Sequence, residues 1–129
     1  LASPAARVKE PLTAAIEAAG RSPPVTWDER IYMAGPVTLM EVVREAEDSY
    51  DSLVLAGHNP GLQEVLFELV AESEDPLLDE IAGKFPTAAF AVLELGIDRW
   101  EQLAPGCARL VHFARPRDLD PRLGPQMVD

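Results

Sequence analysis

Apolar residues change their spacing several times along this chain, and each change predicts an element. Ser3 followed by Pro4 reads as a hydroxyl N-cap and then a proline where a missing N–H costs nothing. With Gly20 as a stop, a helix is predicted to about Ala19. Pro11 lies inside it and, having no N–H to donate, is expected to kink or split it. "RSPPVTW" reads as a loop leading into a short extended piece. From Pro36, "PVTLMEVVREAED" sets Leu39, Val42, Val43 and Ala46 on one helical face. "SLVLA", residues 52–56, is instead a continuous apolar run, the pattern of a central strand covered on both faces. Asn59 and Pro60 repeat the cap-plus-proline signal before a helical stripe of Leu62, Val65, Leu66, Leu69 and Val70.

"ESEDPLLDEIAGK" is a polar connection with room for one helical turn around Leu77 to Ile81. "TAAFAVLEL" and "RWEQLAP" flank "GID", which predicts a hairpin on a glycine turn, and "ARLVHFARP" is a further strand. The tail 118–129, with its prolines and charges, is expected to be poorly ordered. Strands alternating with helices predict an α/β fold: a layered sheet with parallel central strands flanked by helices, plus a late β-hairpin. No repeat or linker divides the 129 residues, so one domain over 1–129 is expected.

Composition narrows the function. Apolar residues make up 47% of the chain, enough for a core. No apolar stretch approaches the roughly 18 residues of a membrane span or resembles a secretory segment. A lone Cys107 cannot form an internal disulfide, so the expectation is a soluble cytoplasmic protein. Eleven basic residues face 22 acidic ones, a formal charge of −11 that repels nucleic acid and anionic lipid at long range. An anionic ligand would need its positive groups gathered in one place. No H-x-x-x-H, C-x-x-C, Walker glycine loop or G-x-G-x-x-G occurs, so neither a metal nor a cofactor is predicted.

Two places share one grammar. "LASPAAR" and "LAGHNPG" each read as a strand end, a capping residue, a proline and a helix. Ligands of open α/β sheets bind at the carboxyl ends of strands, and helix N-termini there favour phosphate. Arg7 falls in the first turn of one helix and His58 just before the other. A guanidinium fork grips two phosphoryl oxygens, and an imidazolium adds another donor and charge. Taken alone, Arg7 reads as a solvated helix charge and His58 as a structural turn residue; their matching positions make the pair a candidate phosphoryl pocket. His112 alternates with apolar neighbours as a partly buried sheet residue. Cys107, beside a Pro-Gly turn with no basic neighbour, reads as unreactive.

These same segments resemble the histidine phosphatase superfamily, the phosphoglycerate-mutase-like fold. "LASPAARVKEPLTAAI" is similar to its S-P-x-x-R segment, and "SLVLAGHNPGLQEVL" to its second-histidine segment in the G-H-N-P form of the SixA-type branch. "RIYMAGPVTLMEVV" resembles that branch's segment between the arginine and the second histidine, and "KFPTAAFAVLEL" with the tryptophan of "DRW" its late hairpin, so the likeness runs from residue 1 to about 115. It implies a covalent phosphohistidine mechanism, with Arg7 as the second arginine and His58 as the second histidine, both holding phosphoryl oxygens. It also implies Thr87 near the phosphate, and a leaving-group acid at Asp28 or Glu29, with Glu29 preferred. The implied substrate is a phosphorylated protein histidine or a small phosphorylated metabolite. The nucleophilic R-H-G of the family is absent from these residues, and Pro11 stands where the branch usually has threonine. The expectation is therefore a first strand and nucleophile segment preceding Leu1, and no turnover by the 129 residues alone. The alternative is a non-catalytic phosphate-binding module using Arg7 and His58.

Overall fold

The computed structural model describes residues 1–70, 78, 81, 89–119 and 122. Helix α1 spans Ala6–Ala19 and ends at Gly20, whose φ of 66° places it in the left-handed region while its N–H bonds the Glu17 carbonyl. Ser3 does not take the N-cap position: Ala5 does, and its N–H donates to Ser3 Oγ at 3.3 Å. The helix passes through Pro11 unbroken. Proline removes one donor, but the alanine-rich sequence around it has high helix propensity and carries the turn on both sides.

Helices α2, Pro36–Arg44, and α3, Gly61–Leu69, build the core. Leu39, Met40, Val42 and Val43 pack with Val65, Leu66 and Leu69, and Ile31 closes the same cluster. Pro36 opens α2 as the sequence predicts, whereas Pro60 occupies the N-cap position of α3, so that helix begins at Gly61. The Asn59–Pro60 peptide is cis.

Strand β1, Phe90–Leu95, pairs antiparallel with β2, Ala108–Ala114, with a register shift between Val92 and Leu93. The predicted hairpin partner "RWEQLAP" is not a strand. It forms a 3-10 turn at Trp100–Gln102, because side chains take the backbone donors a strand would need. Gln102 Oε1 accepts from the N–H of Asp98 and Arg99, and Asp48 Oδ1 accepts from that of Trp100. His112, predicted to be partly buried, is exposed on β2 with its ring 5.5 Å from that of Phe90. A short helix, Pro116–Leu119, follows β2.

Parallel central strands are not formed as a ladder among the described residues. Ala2 instead makes isolated parallel bridges to Trp27 on one side and Ala56 on the other. Ser3 N donates to the Ala56 carbonyl at 3.0 Å, and Ala56 N to that of Leu1 at 2.9 Å. Leu1 to Ser3 runs beside residues 54–56. The reading of "SLVLA" as covered on both faces is also corrected: Leu53 and Leu55 pack on the core, but Val54 is 72% exposed. The segment alternates in and out instead. Thr87, most of the 71–88 connection and most of the 118–129 tail lie outside the described residues, although Leu78 and Ile81 are helical and Ile81 is fully buried. Among the described residues, no helix is long and apolar enough to cross a membrane.

Candidate functional site

Ser3 and His58 come together because Leu1–Ser3 lies against the end of the 52–56 segment. Ser3 is completely buried, and its Oγ stands 2.8 Å from His58 Nε2. A serine hydroxyl can donate to a neutral ring nitrogen or accept from a cationic one, so this bond survives either protonation state. Burial first, and the charge of Arg7 second, hold the His58 imidazole below its ordinary pKa.

The bend after the 3-10 turn Glu29–Ile31 supplies the link to α1. The Tyr32 and His58 rings meet edge-on, with centroids 5.3 Å apart and planes at 86°. The Arg7 guanidinium lies over the Tyr32 ring, its Cζ 5.8 Å from the centroid, and Arg7 Nη2 reaches Met33 Sδ at 3.7 Å. Met33 adopts φ 54°, a conformation a non-glycine residue rarely takes, and this turns the chain at that point. The bend is seated on the His58 turn: a Cβ at Gly57 would come 2.9 Å from Ile31 Cγ2, and one at Gly61 would overlap the Ala34 carbonyl oxygen.

Arg7 and His58 are thus brought to one place, each in contact with Tyr32. Asp28 and Glu29 are not joined to them by any hydrogen bond or ion pair among the described residues. Asp28 accepts from the backbone and guanidinium of Arg30, which hold its carboxyl below the ordinary range. Asp28 thus commits its carboxylate to Arg30. Glu29 is exposed at the start of the 3-10 turn. Thr87 lies outside the described residues. Cys107 is free and half-buried. No group of three metal-ligating side chains occurs among the described residues.

Sequence reasoning missed three members of the cluster. Ser3 was read only as a helix cap, although the S-P-x-x-R spacing that places Arg7 also places this hydroxyl. Tyr32 and Met33 gave no periodic signal, since they sit in a bend defined by one residue with positive φ. Chemically, the cluster offers a guanidinium fork and an imidazole, with no carboxylate in contact with either among the described residues.

No protein-family model matches the chain. It is 33% identical over 100 residues to "Uncharacterized protein Rv1276c" of Mycobacterium tuberculosis, covering 76% of the chain and 63% of that relative. It is 34% identical over 119 residues to "Uncharacterized protein ML1117" of Mycobacterium leprae, covering 91% of the chain and 70% of that relative. The chain therefore spans less than two thirds of the Mycobacterium tuberculosis protein. Its fold matches a solved structure from Nakamurella multipartitia, named "Putative Phosphohistidine Phosphatase SixA", with a TM-score of 0.67 and 25% identity. That match covers 78% of the chain and 62% of the solved one.

Proposed function

This chain belongs to one family with the Mycobacterium leprae protein ML1117, within the histidine phosphatase superfamily, and on that premise we propose that it is part of a phosphatase working through a covalent phosphohistidine. The substrate class is a phosphorylated protein histidine or a small phosphorylated metabolite. One observation carries the reading: in a chain of net charge −11, Arg7 stands beside His58 with its fork committed to no carboxylate among the described residues. Such a fork is available to a phosphoryl group.

In this reading Arg7 and His58 hold non-bridging phosphoryl oxygens and stabilise the charge that builds on them during transfer. A cationic His58 cannot attack phosphorus, so the nucleophile is a different histidine, in an R-H-G segment. Its ring nitrogen forms a bond to phosphorus as the P–O or P–N bond to the leaving group breaks, and water then cleaves the phosphohistidine. Such a segment does not occur in the 129 residues. The enzyme reading requires a form that carries one, and the matched relatives are longer than the aligned stretch. Glu29 is the proposed leaving-group acid and Thr87 a further phosphate contact. Neither a metal nor a cofactor is required. The proposed setting is the cytoplasm.

The absence of R-H-G from these residues also favours a second reading, a phosphate-binding module without turnover. Acid-labile labelling with a phosphoryl donor and peptide mapping separates the two. The enzyme reading expects no label on the 129 residues, and label on the R-H-G histidine of an extended form, followed by hydrolysis. Label on His58 would overturn the role assigned to it.

A further inference from the structure

We propose that Tyr32 is a positioning residue, whose ring carries the Arg7 guanidinium on its face and meets the His58 ring in a perpendicular contact, fixing the separation of the two phosphate-holding groups. The inference rests on the phosphate-pocket reading and adds to it a residue that neither the motifs nor the charge pattern marks.

Three observations lead to it. Both rings and the guanidinium meet at one side chain: the Arg7 Cζ is 5.8 Å from the Tyr32 centroid, and the His58 centroid is 5.3 Å from it. Arg7 otherwise touches only the Met33 sulfur by hydrogen bonding, a weak acceptor, so the aromatic face is its principal support among the described residues. Tyr32 itself is 53% exposed, so burial does not explain its placement. The backbone does: Ile31 is 1% exposed and seated against Gly57, the following Met33 has a φ of 54°, and Ala34 abuts Gly61. The bend is braced on both sides of Tyr32 by the turn that bears His58.

The physical logic is preorganisation. Arg7 and a protonated His58 oppose each other, which is why the Arg7 charge helps lower the His58 pKa. An unsupported arginine relieves that opposition by turning into water as the imidazole takes its proton. An aromatic face attracts the guanidinium without neutralising it, as a carboxylate would. Arg7 is then held near His58 with its charge intact, and the anion need not supply the cost of gathering them.

The test uses sulfate as the probe and isothermal titration calorimetry on the full chain. Tyr32→Phe keeps the ring and should bind within about twofold of wild type. Tyr32→Leu keeps bulk but loses the π face, and should bind about fivefold more weakly, with an unchanged unfolding midpoint. In an Arg7→Ala background, Tyr32→Leu should cost little further, since the group it positions is gone. Wild-type affinity in Tyr32→Leu, with Arg7→Ala weakened, overturns the inference and leaves the pocket standing. Unchanged affinity in Arg7→Ala itself overturns the pocket and the inference with it. Equal losses for Tyr32→Phe and Tyr32→Leu also overturn the inference, because they make the hydroxyl the operative group.

Discussion

Two arginines flank the same short bend and live in opposite surroundings. Arg30 is saturated: its Nε and Nη2 bond Asp28, and its Nη1 and Nη2 bond Glu45 at 2.6 and 3.1 Å. These two carboxylates raise its pKa further above the ordinary arginine range. Among the described residues, Arg7 has only an aromatic face and a thioether. In a chain with twice as many acids as bases, a paired arginine is the expected outcome and an uncommitted one is not. Arg30 fastens the bend to α2, since Glu45 is the residue that caps that helix. On the proposed reading, Arg7 keeps its fork for a phosphoryl group.

The comparison breaks most severely if the bend is not one rigid unit. A methyl group at Gly61 would overlap the Ala34 carbonyl oxygen and lie 3.4 Å from Leu39 Cδ1. Gly61→Ala should therefore cost about 3 kcal/mol of stability, read from urea unfolding. A variant as stable as wild type would mean that α3 does not seat the bend, and that the two arginines are independent.

Next in size is the direct contrast. Arg7→Ala should weaken sulfate binding by about thirtyfold at physiological salt, as expected for losing charge-assisted bonds. Arg7→Lys should fall between, retaining charge without the fork. Arg30→Ala should stay within about twofold, because its charge is already spent on Asp28 and Glu45. Equal losses at the two arginines would remove the distinction.

The smallest effect is a pH dependence, which sharpens the contrast by isolating His58. Its folded pKa is lowered, so between that value and the ordinary pKa near 6.5 the unfolded chain binds more protons. Its contribution to stability is thus present above about 6.5 and is lost as pH falls through that window. Sulfate, which does not titrate there, should reverse the trend by favouring the imidazolium. Its affinity should rise as pH falls from 7.5 to 5.5, by less than the tenfold per unit allowed for one proton, and the rise should vanish in His58→Ala. A flat profile in wild type would leave Arg7 as the sole cationic contact.

Much of this was legible in the sequence. Helical stripes on α2 and α3 came directly from apolar spacing, because both helices bury one face in a shared core. Gly20 ended α1 where a left-handed stop was predicted. Other features depend on partners distant in sequence. "RWEQLAP" looked like a strand until Asp48, some fifty residues earlier, took the Trp100 N–H. Val54 looked buried within an unbroken apolar run, yet only Leu53 and Leu55 face the core. Pro11 was expected to break α1, but local propensity outweighed one missing bond. At the candidate site, the charges of Arg7 and His58 and their matching positions at two helix starts were legible. The burial that lowers the His58 pKa was not, since it depends on tertiary packing.

The two glycines of "GHNPG" acquire a different meaning once Ile31 and Ala34 are seen against them. In a loop next to a phosphate site, such residues invite explanation by the ligand. Here they are written for another stretch of the same chain, which has no room for a side chain at either position. The two stretches cannot drift apart in evolution one residue at a time: a larger residue at 57 or 61 demands a retreat at 31 or 34, and that retreat would carry Tyr32 and Met33 away from Arg7. The motif and the bend are heritable only as a pair.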